Sequence, residues 1–268
     1  MKADFHLHTD FSGDSKTPMT DMIEQAIFLG LDTICFTEHF DHDFPSEYGD
    51  FSLDICSYFE HLHSLKKTYA SRIEVLFGVE LGMQSHLGDY YDTYVKQFPF
   101  DYVIASQHLV DAVDPYFPIY WEDKTAREGI AAYFTELLDN LKKMKNYDSL
   151  GHLDYIVRYA PAEKRDYSYE TYREYIDPVL LYLIEHDKCL EVNSAGLKYG
   201  LGHPNPEESV LKRYLELGGH NITIGSDGHM PKHMAYDFPK LAELLTDLGF
   251  ERYCIFRGRQ REYRKIND

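Results

Sequence analysis

Seven short β-rich runs alternate with stretches of helical periodicity along this chain. The runs are ADFHLH (3–8), DTICFTEH (32–39), IEVLFGVE (73–80), DYVIASQH (101–108), DSLGH (148–152), KCLEVNS (188–194) and NITIGSDGH (221–229). Alternation of this kind is the mark of parallel βα units, because a parallel partner strand is reached only through a crossover helix. Seven such units predict an α/β fold, a closed or nearly closed (βα)7 TIM-like barrel one strand short of eight. Helix signals fill the gaps. Thr17-Pro18 opens one helix and Gly30 closes it. In 124–146, Ile130, Phe134, Leu137, Leu138, Leu141 and Met144 repeat on one face, and 207–217 and 239–248 end at Gly218 and Gly249. Pro178 is expected to kink or split the 170–187 helix. The segments 40–72 and 109–124 are expected to be loops over the barrel mouth. No repeat, low-complexity block or Pro/Gly/Ser linker interrupts the pattern, so residues 1–268 read as one domain.

Composition narrows the class of function. A hydrophobic content of 44% supplies a sizeable core. A net charge of −18 argues against a nucleic-acid partner, which needs a basic footprint. The one basic run, FRGRQREYRK near the C-terminus, reads as a solvated hairpin and not as a binding patch. Cys35, Cys56, Cys189 and Cys254 are scattered with no CxxC pair, and no charged-then-apolar leader or apolar run near 18 residues occurs. These features predict a cytoplasmic protein with reduced thiols, no membrane contact and no obligatory protein partner.

The tripeptide HLH occurs twice, at 6–8 and 61–63, and with 14 histidines about one His-x-His is expected by chance. Local geometry separates the two copies. In a strand, residues i and i+2 face the same way, whereas in a helix they point about 200° apart. YFEHLHSLKK reads as a polar helix, which leaves His61 and His63 as solvated residues. His6 and His8 end a strand and can converge on one ion.

The ends of the other strands supply partners. Strand two ends in Glu38-His39, strand three in Glu80, strand four in Gln107-His108 and strand five in His152. Strand six ends in Asn193 and strand seven in Asp227 and His229, while Asp14 lies just past the first strand. The C-terminal ends of barrel strands are where functional residues gather. A set of six imidazoles and three carboxylates without thiolate suits Zn²⁺, Mn²⁺ or Fe²⁺, and nine ligands are enough for two or three ions.

The motifs His6-x-His8, Asp14, Thr37-Glu38-His39, Gly78-x-Glu80, Ser106-x-His108, Gly151-His152 and Gly225-Ser226-Asp227-x-His229 resemble, in order, those of the PHP family of polymerase-associated and histidinol-phosphatase domains. Further stretches, including DHDFPSE, GHLDYIVRYAP and EVNSAGLKYGLGHPNP, resemble the monofunctional histidinol-phosphate phosphatases of that family. Gly228 departs from the pattern, since relatives often carry Ala there. The resemblance implies a distorted seven-stranded barrel with a trinuclear metal centre. His6, His8, Glu80 and Asp227 would hold one ion, and Glu80 would bridge to a second held by His108 and His152. Asp14, His39 and His229 would hold the third.

The resemblance implies hydrolysis of L-histidinol phosphate in histidine biosynthesis, and the metal set suggests a metal-bridging hydroxide as nucleophile with no covalent intermediate. Glu80 and Asp227 would be catalytic through the metals. Arg158 would clamp phosphate, His42 would bind phosphate or protonate the leaving alkoxide, and Asn193 would orient substrate. Asp41, Asp43, Asp111 and Asp114 are acidic mouth residues that would meet a substrate amine or imidazolium. His86, His186, His203, His220 and His233 lack strand-end placement and read as ordinary. Rival readings are a phosphoesterase of the same family acting on nucleotides or nucleic-acid ends, an amidohydrolase, and a non-catalytic metal-binding module. Strand four of an amidohydrolase usually carries a bridging Lys or another carboxylate, and here it ends in Gln-His.

Overall fold

The computed structural model describes residues 1–161 and 167–267. Seven parallel strands follow one another in chain order: β1 (Ala3–Leu7), β2 (Thr33–Phe40), β3 (Glu74–Gly82), β4 (Tyr102–Ser106), β5 (Ser149–Leu150), β6 (Cys189–Asn193) and β7 (Ile222–Gly225). The sheet curls until its edges meet. Leu7 forms a parallel bridge with Gly228, His8 N–H donates to Gly228 O at 3.0 Å, and Gly228 N–H donates to His6 O at 3.3 Å. The result is the nearly closed seven-stranded barrel that the alternation predicts. Every residue of β1 and β2 is buried, as expected for strands covered on both faces.

The helices are α1 (Met19–Phe28), α2 (Ile55–Tyr69), α3 (Gly88–Tyr94), α4 (Ala126–Lys143), α5 (Tyr169–Glu185), α6 (Ala195–Lys198), α7 (Glu208–Glu216) and α8 (Phe238–Leu248). The mouth loop expected over 40–72 is shorter than that span, because Asp54 caps α2 by accepting from Ser57 N–H at 3.1 Å. Tyr58 and Leu62 seat α2 on the barrel, and His61 and His63 face solvent. Helix α4 begins with a reciprocal capping box between Thr125 and Glu128. Pro178 does not split α5. Buried Tyr172 and Ile176 before it, and Val179, Leu180 and Leu183 after it, anchor both halves to the same core, so packing outweighs one lost intrahelical bond.

The basic C-terminal run forms the antiparallel hairpin β8 (Arg252–Arg257) and β9 (Gln260–Lys265). It is less solvated than the sequence suggests, since Tyr253, Cys254, Ile255 and Phe256 are buried under the barrel. Its arginines meet acids at the strand starts. Arg264 pairs with Asp32, Arg257 Nε with Glu74 at 2.8 Å, Arg259 with Asp148, and Arg261 Nη1 with Asp187 at 2.7 Å. The run is therefore spent on closing the N-terminal end of the barrel and is not a free cationic patch. No helix among the described residues is long and apolar enough to cross a membrane.

Candidate metal centre and its pocket

The opposite end of the barrel gathers the polar strand ends. Glu80, on β3, is fully buried and lies among five imidazoles. Its Oε2 is 3.1 Å from His6 Nε2, 3.4 Å from His8 Nε2 and 3.0 Å from His39 Nδ1. Its Oε1 is 2.9 Å from His152 Nε2 and 3.3 Å from His108 Nε2, and accepts a hydrogen bond from Ser106 Oγ at 2.6 Å. Asp227 Oδ1 lies 3.6 Å from His8 Nε2 and 3.9 Å from His6 Nε2. Asp14 Oδ2 stands 3.0 Å from His229 Nε2 and 3.7 Å from His39 Nε2. All nine ligand candidates thus meet in one cluster.

The orientation of the rings is itself informative. His6 Nδ1 lies 2.6 Å from Glu191 Oε1, His108 Nδ1 2.7 Å from Asp41 Oδ1, and His229 Nδ1 3.1 Å from the Asp227 carbonyl. A carboxylate or carbonyl oxygen only accepts, so each of these Nδ1 atoms carries the proton. His8 Nδ1 lies 3.0 Å from Ser12 Oγ, whose own proton goes to Glu38 Oε2 at 2.6 Å, so His8 donates as well. Four imidazoles therefore turn Nε2 to the centre, the nitrogen that would ligate an ion once any proton on it is displaced. His6 Nε2, His8 Nε2, His229 Nε2, His39 Nδ1 and Glu80 Oε2 are buried without a hydrogen-bond partner. Orphaned buried acceptors are costly unless a cation satisfies them. Ligands about 2.1 Å from a tetrahedral ion stand roughly 3.4 Å apart, close to the separations seen here. By donor chemistry and spacing, the set fits divalent metal ions.

The charges are strongly coupled. Burial raises the pKa of Glu80, but the neighbouring His6, His39 and His108 outweigh it and hold the carboxyl well below its ordinary range. Burial lowers His39, and Glu80 and Asp14 reverse this and bring it to about 9. Burial, with His39 and His229 adding to it, keeps His8 well below its usual value. Asp227 adopts a left-handed backbone conformation, φ 50°, of the kind tolerated at functional sites, and Lys198 Nζ donates to its carbonyl at 3.0 Å.

A cavity of about 270 Å³ opens above this cluster. Asp14, His39, His108, His152, Asp227 and His229 form its floor, with Arg158, Asp114 and aromatic side chains on the walls. Arg158 Nη1 is 3.6 Å from Asp227 Oδ2, and its guanidinium lies 3.3 Å from the Tyr199 ring centroid. Two of the expected substrate contacts lie elsewhere. His42 stacks on Tyr90, with ring centroids 4.2 Å apart, and lines a neighbouring groove with Asp43, because the chain turns outward after Asp41. Asn193 is fully buried, donates from Nδ2 to Glu191 Oε2 at 3.0 Å and accepts from Ala195 N–H at 2.9 Å, so it caps a turn below the floor. Of the acidic mouth residues, Asp41 and Asp114 line the cavity, while Asp43 and Asp111 do not. Asp41 is bound to His108, and Gly82 makes room for it, since a Cβ there would lie 1.5 Å from Asp41 Oδ1.

Sequence reasoning missed Glu191, which lies mid-strand and not at a strand end, and missed His233, which lines the cavity. Burial and the nearby Lys198, Lys232 and His229 lower His233 to about 4. Glu38 stands beside His39 in sequence but faces away from the cluster, accepting from Thr9 N–H at 2.9 Å and Thr9 Oγ1 at 2.6 Å.

Known proteins resemble this chain along nearly its whole length. A histidinol-phosphatase from Lactococcus lactis is 32% identical over 261 residues, spanning 96% of this chain and 95% of the relative. A probable histidinol-phosphatase from Clostridium acetobutylicum is 34% identical over 252 residues, spanning 91% of this chain and 93% of the relative. The crystal structure of the Lactococcus lactis histidinol phosphate phosphatase, complexed with zinc, L-histidinol and phosphate, matches with a TM-score of 0.89 and 31% identity, covering 97% of this chain and 98% of that one. The PHP domain profile itself matches residues 4–195, across the barrel strands that carry seven of the nine candidate ligands, and the chain belongs to the PHP family.

Proposed function

We propose that this chain is a metal-dependent phosphomonoesterase that hydrolyses L-histidinol phosphate to L-histidinol and phosphate, a step of histidine biosynthesis. The observation that carries the reading is the convergence of six imidazoles and three carboxylates in one cluster, four of the imidazoles and two of the carboxylates forming the floor of a cavity with a guanidinium on its wall. We assign three divalent ions, zinc, manganese or iron, to His6, His8, Glu80 and Asp227, to Glu80, His108 and His152, and to Asp14, His39 and His229. Divalent ions in these positions supply a nucleophile from water at neutral pH and positive charge for the phosphoryl oxygens.

The chain's own residues do the rest. Three divalent ions against the charges of Asp14, Glu80 and Asp227 leave a positive site, which favours a phosphate dianion in an acidic protein. Arg158, held flat by Tyr199, donates to phosphoryl oxygens in a fork geometry. Phe44, Phe51, Tyr155, Tyr159 and Met230 wall the cavity and exclude water. Asp114 offers a carboxylate on the same wall to the cationic end of the substrate. Among the described residues the four cysteines are free thiols, consistent with work in the cytoplasm as one catalytic domain.

The test is a substrate panel of histidinol phosphate, nucleoside monophosphates and a 3′-phosphorylated oligonucleotide. A kcat/KM preference of about 100-fold for histidinol phosphate is expected, the discrimination that an ionic contact to the leaving group provides. Faster turnover of the oligonucleotide would favour the nucleic-acid reading instead. Arg158→Ala is expected to lower kcat/KM about 10- to 100-fold while bound metal stays at the wild-type level, since a charged hydrogen bond to substrate contributes roughly 1.5–3 kcal/mol. Loss of metal in that variant would show that Arg158 supports the cluster and does not clamp phosphate.

A further inference from the structure

We propose that Glu191 is the positioning residue that fixes His6 as a metal ligand and ties it to His152, thereby setting two of the assigned ion positions from one buried carboxylate. This rests on the metal reading of the site given above.

Glu191 sits in the middle of β6, only 1% exposed, beneath the floor of the cavity. It cannot touch substrate and acts only through its neighbours. Its two oxygens are used differently. Oε1 faces His6 Nδ1 at 2.6 Å, while Oε2 accepts from His152 N–H at 2.7 Å and from Asn193 Nδ2 at 3.0 Å. The first contact keeps a proton on Nδ1 and aims Nε2, 3.1 Å from Glu80 Oε2, at the centre as the nitrogen that would bind the ion. The second holds the chain just beyond β5. That strand is only Ser149–Leu150, so the peptide leading to His152 has little ladder to position it. Glu191 Oε2 supplies the missing acceptor.

The surrounding structure keeps this arrangement in register. Asn193 Oδ1 accepts from Ala195 N–H at 2.9 Å, which orients the amide so that Nδ2 must donate to Glu191. On the adjacent β7, a Cβ at Gly225 would stand 2.4 Å from His6 Cβ and 2.5 Å from Glu191 Oε1. Only a residue without a side chain lets the carboxylate reach the imidazole. Carboxylates that orient ligating histidines in this way typically contribute 10- to 100-fold in metal affinity.

The substitution that isolates the role is Glu191→Gln, because it keeps shape and volume. Neither amide orientation satisfies the site. With the amide oxygen on His6, the NH2 group confronts the donors of His152 and Asn193. With the NH2 group on His6, the imidazole must carry its proton on Nε2, which removes the lone pair from the metal side. The expected result is zinc affinity lowered about 10- to 100-fold in a chelator-competition titration, with unchanged near-ultraviolet circular dichroism. A second measurement uses the wild-type protein and does not depend on the variant folding. In ¹⁵N spectra of the zinc-loaded protein, His6 is expected to show a protonated, hydrogen-bonded Nδ1 and a metal-bound Nε2. A proton on His6 Nε2, or a folded Glu191→Gln protein that binds zinc within twofold of wild type, would overturn the proposal. Failure of the metal reading itself looks different, since the wild-type protein would then take up no stoichiometric zinc at all.

Discussion

Replacing Glu80 with alanine is expected to empty the centre of bound metal and lower kcat/KM by at least about a thousandfold, equivalent to roughly 4 kcal/mol of transition-state stabilisation. The size of the effect follows from its position. Five imidazoles approach its two oxygens within 3.4 Å, and no other carboxylate among the described residues touches as many of them. Without it, the mutual repulsion of those rings is unopposed, and a buried cluster that loses its counter-charge costs about 3–5 kcal/mol. Elemental analysis per chain, alongside a thermal melt, separates loss of metal from loss of fold. Wild-type metal content in Glu80→Ala would refute the bridging assignment.

Stripping the metal with a strong chelator is expected to bring phosphatase activity to background, and adding back zinc or manganese should restore it. Stability should follow activity. An ion at about 1,000 times its Kd stabilises the folded state by roughly 4 kcal/mol, so the melting midpoint should fall by roughly 10 °C on removal. Protons should move in the opposite direction. His39 stands at about 9 when it pairs with Glu80 and Asp14. An ion displaces that proton, so metal uptake at pH 7 is expected to release protons and to weaken as the pH falls. Full activity in a verified metal-free sample would sink the metal mechanism, and metal uptake without proton release would contradict the charge state of the cluster.

Much of this was legible in the sequence, for reasons that can be traced to particular residues. Strand periodicity makes His6 and His8 face the same way, whatever the rest of the chain does. The same periodicity excludes His61 and His63, and the structure places both on the exposed face of α2. Parallel alternation puts the ends of all seven strands at one mouth, so His39, Glu80, His108 and His152 had to be neighbours once the barrel closed. Other readings failed where tertiary contacts override local pattern. Pro178 should break a helix in isolation, but core packing on both sides of it keeps α5 continuous. The basic C-terminal run looked like solvated surface, yet its arginines are bound to acids at the strand starts, and no local pattern reveals a partner that lies 74 or more residues away.

The sequence by itself determined the barrel, the face that carries the chemistry and the nine ligand candidates, because the order of βα units and the positions just at or past the strand ends are local features of the chain. Only the tertiary structure decided how those residues are aimed. Asn193 ends β6 and His42 follows β2 by two residues, but neither lines the cavity, because backbone direction after a strand is set by the loop and its contacts. Glu191 carried no signal of its own, and Asp41 was legible only as an acidic mouth residue, because what makes them important is a hydrogen bond across 185 residues in one case and 67 in the other. Which proton sits on which imidazole nitrogen is a property of those partners, and the sequence does not contain it until the chain has folded.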